Sequence, residues 1–279
     1  MLYIYWDPEL GVKIGSLVLR YYSLMFVLAF LLGWFLIENI FKQENKHKKY
    51  LDPLFFHIFL GILIGARIGH VVFYQPELFK EDFFSVFLPF QFNPDFSFTG
   101  FQGLASHGAL IGGIISIVFF VRKYKPEFTF FWITDRLILV TALGGSLVRV
   151  GNFMNSEIIG KPFNGEWAIL FAQQSLDYGA LLPRHPSQLY ESIGYLVTFI
   201  FLIFIYYKTN FKQIQGRITS IGLILIFAIR FFVEFTKEPQ SDEIISAFGL
   251  NSGQILSIFP LIICLLILFN NSKKSISSK

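Results

Sequence analysis

The sequence predicts an all-α integral membrane protein with seven transmembrane helices, and three observations carry that reading. Of 279 residues, 54% are hydrophobic and 15% charged, with a mean hydropathy of +0.57, more apolar surface than a soluble core can hide. Several apolar runs reach the ~20 residues that a helix needs to cross a ~30 Å hydrocarbon layer. The 36 phenylalanines help raise the aromatic share to 19%, which supplies belts at the interfaces.

Taken in order, the spans fall at about 16–40, 54–75, 104–121, 130–150, 187–207, 217–235 and 252–269. The opening residues, MLYIYWDPELGVKIG, have neither a basic n-region nor a small-residue cleavage site, so the first span itself is expected to direct insertion. The connections 41–53, 122–127 and 208–217 and the C-terminal tail hold thirteen Lys and Arg; the other face holds five, Lys13, Lys80, Lys161, Arg184 and Lys237. The positive-inside rule then sets the N-terminus outside and the C-terminus in the cytoplasm. The net charge of +4 is thereby a consequence of topology, and no nucleic-acid partner is expected. Residues 76–103 and 151–186 read as an arm and a cap on the outer leaflet, or else as ordinary loops with interfacial aromatics. No internal repeat supports an inverted-repeat transporter. Cys264, the single cysteine, lies in the apolar run LIICLLILF, which excludes an intramolecular disulfide and leaves no thiol beside a polar site.

Arginines inside the hydrocarbon are the sharper signal, because each costs ~2.5–3.5 kcal/mol at a helix centre and tends to face a partner or a cavity. Five qualify: Arg20, Arg67, Arg136, Arg149 and Arg230. Arg20 sits near the outer end of its span, and Arg136, beside Asp135, near a cytoplasmic end where it can snorkel. Helix rise puts Arg67 about 20 Å above Leu54 and Arg230 about 18 Å above Ile218, both in the outer half. Arg149 closes the fourth span on that side, His107 lies just inside the third, Tyr21 and Tyr22 open the first and His185 precedes the fifth. Polar groups from six segments meet at the depth of outer-leaflet headgroups.

Local patterns admit a functional and a structural reading. Gly61, Gly65 and Gly69 repeat every fourth residue and offer a face for close helix packing, with Arg67, His70 and Tyr74 on roughly the opposite side. Arg67 either lines a polar surface there or pairs structurally. Arg230 and Glu234 lie one turn apart, placed to neutralise one another or to order a substrate. His107, among the small residues of GLASHGALIGG, is a proton acceptor or an interhelical hydrogen-bond partner. RHPSQLYES, 184–192, reads as a helix start with Pro186 at its first position. In VRVGNFMNSEIIGK, 148–161, Arg149, Asn152, Asn155 and Glu157 crowd the end of an apolar helix. That crowding suits a phosphate, which needs two or more cationic donors to offset its desolvation.

Five long segments in register, GARIGHVVFY (65–74), SHGALIGG (106–113), RVGNFMNSEIIGK (149–161), HPSQLYE (185–191) and RFFVEFTKEP (230–239), resemble those of the prolipoprotein diacylglyceryl transferases. The likeness extends from YYSLM (21–25) through the sixth span. It implies a multi-pass enzyme of the bacterial inner membrane. Such an enzyme moves the diacylglyceryl group of phosphatidylglycerol onto the lipobox cysteine of a prolipoprotein signal peptide, forming a thioether and releasing glycerol phosphate. By the same resemblance, Tyr22, His107, Arg149, Asn152, Glu157, Gly160, Arg230 and Glu234 are the important residues. Ala66, Ala109, Ser106 and Ser146 depart from the family pattern and touch backbone fit alone. His107 is the candidate base with Tyr22 as fallback, and Arg149 and Arg230 hold the phosphate. Asn155, Arg67, Tyr74 and His185 are further candidates for contact with the lipid or the peptide. No cluster of metal ligands stands out in the sequence, so neither a metal nor another cofactor is expected. The alternative from another class is a seven-span transporter or receptor with an anion site in its outer half.

Overall fold

The computed structural model describes residues 3–15, 17–88, 90–92, 95–98, 103–238 and 249–277. Ser16, Lys279, Pro239 and parts of the arm (89, 93–94, 99–102) lie outside the described residues. Three short strands come first: β1 (Ile4–Trp6), β2 (Gly11–Ile14) and β3 (Leu17–Arg20). The remaining elements are α1 (Tyr21–Gln43), α2 (Leu51–Tyr74), α3 (Leu78–Glu81), β4 (Phe90–Gln91), β5 (Ser97–Phe98), α4 (Ser106–Lys123), α5 (Phe130–Met154), β6 (Ile169–Phe171), α6 (Ser187–Lys208), α7 (Arg217–Val233) and α8 (Ser252–Ser277). Among the described residues, five helical segments are long and apolar enough to cross a membrane: Tyr21–Gln43, Lys48–Tyr74, Phe130–Met154, Ser187–Lys208 and Arg217–Thr236. The chain is a mostly helical, multi-pass membrane protein, and three two-stranded sheets accompany the helices. The mostly helical architecture agrees with the expected all-α membrane class, with the short strand pairs confined to the connections and the N-terminal segment. The placing of Arg20 in the first span is corrected, because residues 17–20 pair with β2 as a hairpin and the helix starts at Tyr21.

The chain divides into two compact units, residues 38–133 and residues 1–37 with 134–279. In the first, α2 lies against α4 through the expected glycine face. A Cβ at Gly65 would stand 2.8 Å from Gly112 Cα, and one at Gly69 the same distance from Gly108 Cα, so the backbones touch where side chains would otherwise keep them apart. The arm begins at α3 and a 3-10 turn, Phe83–Val86, and continues into the β4–β5 pair. Asp82 ties the turn together, accepting from Ser85 N (3.4 Å) and Phe92 N (2.7 Å). Phe83, Phe84, Phe96 and Phe98 are more than half exposed.

In the second unit, α5 is joined to its neighbours by buried polar contacts. Gly216 precedes α7 with φ 83° and has no side chain with which to cap it. Asp135 of α5 supplies the acceptors instead, taking Gly216 N (2.7 Å) and Thr219 N (2.8 Å). Its neighbour Arg136 is 3% exposed and lies over the Tyr206 ring, so it is packed inside rather than snorkelling. Ser146, one of the departures from the family pattern, meets Ser192 of α6 at 3.0 Å. Residues 151–186 fold around a small core of Phe153, Ile159, Ile169 and Phe171, with β1 parallel to β6 and Trp6 Nε1 donating to Phe153 O (3.1 Å).

Candidate functional site

The site of the second unit starts where α5 ends. The helix continues to Met154, beyond the expected end at 150, which places Arg149 and Asn152 one turn apart on one face. Arg149 Nη1 donates to Asn152 Oδ1 (3.0 Å), and Asn152 Nδ2 donates onward to Glu157 Oε1 (2.8 Å). Asn155 Nδ2 reaches the same carboxylate oxygen at 3.4 Å. Glu157 turns back to these amides because Ser156 and Ile158 adopt left-handed backbone, φ 52° and 57°. That conformation is a genuine outlier for a β-branched residue and persists only where its surroundings hold it. Here Tyr178 Oη accepts from Ile158 N (3.2 Å) and Gln188 Nε2 donates to Glu157 O (2.7 Å).

Glu191 of α6 is fully buried and sits between two cations. Its Oε2 lies 2.5 Å from Arg149 Nε as an ion pair without hydrogen-bond alignment, and its Oε1 accepts from Lys237 Nζ at 2.9 Å. Lys237 also donates to Glu234 Oε2 at 3.0 Å. An unpaired charge is untenable at such burial, and the alternation of sign removes the difficulty. Of the two readings open for Arg230 and Glu234, mutual neutralisation is not seen among the described residues, where Glu234 pairs with Lys237. The helix tightens into a 3-10 turn at Glu234–Thr236, and that turn brings Lys237 to the carboxylate instead.

Arg230, on α7 one turn before Glu234, carries no hydrogen bond or ion pair to the described residues. Tyr195, one turn after Glu191 on α6, is 5% exposed and its ring lies against Gly145. Tyr22 packs against Gly151.

Gly160 and His185 form a separate joint. Gly160 N donates to His185 O (3.0 Å), and a Cβ at Gly160 would meet that carbonyl and Ser187 Oγ, at 2.6 Å from the latter. Gly160 thus acts by letting two backbones close. The His185 ring stacks on Phe163 at 3.9 Å, and its Nδ1 shares a hydrogen bond with Tyr190 Oη (3.1 Å). Burial holds its pKa below the ordinary histidine value. Pro186 precedes α6 as its cap residue, correcting the expectation of a first helical position.

Three expected site residues lie in the other unit. Arg67 gives Nε to Val86 O (3.2 Å) and Nη2 to Ser85 O (2.9 Å), which fastens residues 85–86 to α2. Tyr74 is 70% exposed and neighbours the His70 ring at 5.1 Å. His107, exposed in the first turn of α4, borders an apolar groove of about 500 Å³ with Phe73, Ile111 and Phe119. Residues 9–270 match the model of the prolipoprotein diacylglyceryl transferase family. The chain belongs to that family. It is 37% identical to the phosphatidylglycerol–prolipoprotein diacylglyceryl transferase of Bacteroides fragilis over 280 residues, 99% of this chain and 98% of the relative. The enzyme of the same name from Chloroherpeton thalassium is 37% identical over 98% of this chain and 96% of its own length. That from Tolumonas auensis is 38% identical over 85% and 86%.

Within this transferase family framework, four groups escaped sequence reasoning as site components: Tyr195, Lys237, Gln188 and Arg184. Tyr195 follows Glu191 by one helical turn and Lys237 follows Glu234 by three residues, signals of spacing that carry meaning only once their partners are known. Arg184, 2% exposed, donates to Gln174 Oε1, Gly160 O, Tyr178 O and Glu238 Oε2, and so staples the cap.

Proposed function

We propose that this chain transfers the diacylglyceryl group from phosphatidylglycerol to the cysteine thiol of a prolipoprotein lipobox. The observation that carries the residue roles is the set of side-chain contacts that orients Arg149 through Asn152 and Glu191, with Arg230 making no hydrogen bond or ion pair to the described residues. Arg230 supplies the uncommitted positive charge for the lipid phosphate, and Arg149, oriented by Glu191 and Asn152, supplies directed N–H donors. The thiol gives up its proton, the sulfur attacks the glycerol carbon bearing the phosphate, and the carbon–oxygen bond breaks. The electron pair leaves on the phosphate oxygen of glycerol phosphate, where the arginines stabilise it. His107 is the candidate acceptor for the thiol proton on chemical grounds, with Tyr22 as the fallback.

The reading includes a seven-span topology with the N-terminus outside, the arm and cap on the outer leaflet, and residence in a bacterial inner membrane. It is supported by the charge asymmetry of the loops and by the exposed phenylalanines of the arm. The direct test reconstitutes the protein with phosphatidylglycerol and a lipobox peptide and looks by mass spectrometry for a diacylglyceryl adduct on the peptide cysteine. The adduct is expected; its absence under conditions that support a relative's activity sinks the proposal.

A further inference from the structure

Two carboxamides approach Glu157 with their nitrogen ends. Asn155 Nδ2 donates to Glu157 Oε1 and Gln188 Nε2 to the Glu157 carbonyl. Both partners are acceptors, so the amide orientations are forced, and the oxygen ends are left over. Asn155 Oδ1 and Gln188 Oε1 are buried without a hydrogen-bond partner among the described residues, and so is Ser156 Oγ beside them in the chain. Gln188 is fully buried and Ser156 is 2% exposed. Leaving a buried amide oxygen without a donor is costly, and two around one residue point to donors supplied by a ligand.

The position narrows the class of ligand. Among the described residues, Asn152 and then Glu157 stand between the Arg149 guanidinium and these two amides, so the orphaned oxygens belong to residues three hydrogen-bonded steps from the proposed phosphate donor. A carboxylate or a second phosphate would meet the repulsion of Glu157 and of two carbonyl dipoles, whereas neutral hydroxyls donate to those oxygens. A glycerol headgroup presents two hydroxyls just beyond its phosphate. We propose that Asn155 and Gln188 are specificity residues whose side-chain oxygens accept the two headgroup hydroxyls, with Ser156 Oγ available to either. This deepens the proposed function and rests on it.

The experiment compares phosphatidylglycerol with phosphatidylpropanol, which has the same charge and headgroup carbon skeleton but no headgroup hydroxyl, as diacylglyceryl donors to a lipobox peptide. The wild-type protein is expected to prefer phosphatidylglycerol in kcat/KM by about tenfold per hydroxyl. Asn155→Leu and Gln188→Met should each reduce that ratio about tenfold. An equal loss on both lipids assigns the amides a structural role, or an ordered water as their donor, and overturns the proposal. Where a variant does not fold, the wild-type protein is assayed with the two phosphatidylpropanediols, each lacking one hydroxyl; equal rates with these and with phosphatidylglycerol overturn it as well. Failure of the wild-type protein to form any adduct from phosphatidylglycerol is the separate result that removes the underlying function.

Discussion

Arg67 and Arg149 are the same side chain on apolar helices of different units, and the fold uses them in opposite ways. In the unit of residues 38–133, Arg67 is turned onto two backbone carbonyls of the arm, and its helix is fixed to α4 by glycine contacts rather than by charge. In the other unit, Arg149 belongs to a chain of alternating side-chain charges that runs through Glu191 and Lys237 to Glu234. Under the proposed function, the arginine held by ionised side chains serves the substrate together with a cation that has no ion pair among the described residues, and the one held by carbonyls serves packing. Arg230 is that cation here.

The contrast within the charged unit is the first to break. Glu191→Gln leaves Arg149 and Lys237 without their shared counter-charge, and a buried pair broken in this way typically costs about 3–5 kcal/mol. A large fall in thermal midpoint is expected, together with loss of activity. Arg230→Gln removes a side chain with no ion pair among the described residues, so the midpoint should move little while transfer falls about 10²- to 10³-fold. If both variants unfold alike, Arg230 is structural and the division of labour between the arginines is wrong.

The glycine-packed unit gives the next largest effect. Gly65→Leu forces a side chain into a space where even a Cβ would be 2.8 Å from Gly112 Cα, and overpacking of this kind costs about 1–3 kcal/mol. Ile64, adjacent in sequence, is 46% exposed, so Ile64→Leu is the matched control and should leave the thermal midpoint unchanged. Equal stability of the two variants would show that α2 and α4 do not depend on close approach.

These cases also mark how far the sequence reaches. The glycine face of α2 and the pairing of Arg149 with Asn152 follow from spacing on single helices, where 3.6 residues per turn decides which side chains are neighbours. Partners from different elements do not follow. Lys237 reads as one more outer basic residue until a 3-10 turn brings it to Glu234 and Glu191. Gln188 is unremarkable in HPSQLYE until two left-handed residues bring the Glu157 carbonyl to it. Strand β3 was hidden because LVLR is as apolar as the helix it precedes, and only the pairing with β2 distinguishes the two.

The smallest expected effect concerns the segment 151–186, where the His185 ring stacks on Phe163 beside the Arg184–Glu238 ion pair. Burial lowers the pKa of His185 below its ordinary value near 6.5, so the folded chain binds fewer protons than the unfolded one between those two values. The resulting stabilisation is full above about pH 6.5 and is lost as the pH falls through the lowered folded value. Protonation also obliges both ring nitrogens to donate, so Tyr190 Oη must then accept from Nδ1 and the second N–H needs an acceptor of its own. Amide exchange across residues 160–190 should therefore quicken modestly as the pH is taken from 7 to 5, after correction for the intrinsic pH dependence of exchange. His185→Gln should flatten that response. The Glu191–Lys237 network sets the standard for comparison, because charges already paired at pH 7 give amides near Glu191 no reason to follow the histidine. Loosening of both regions together would show that the cap and the charged site open as one unit.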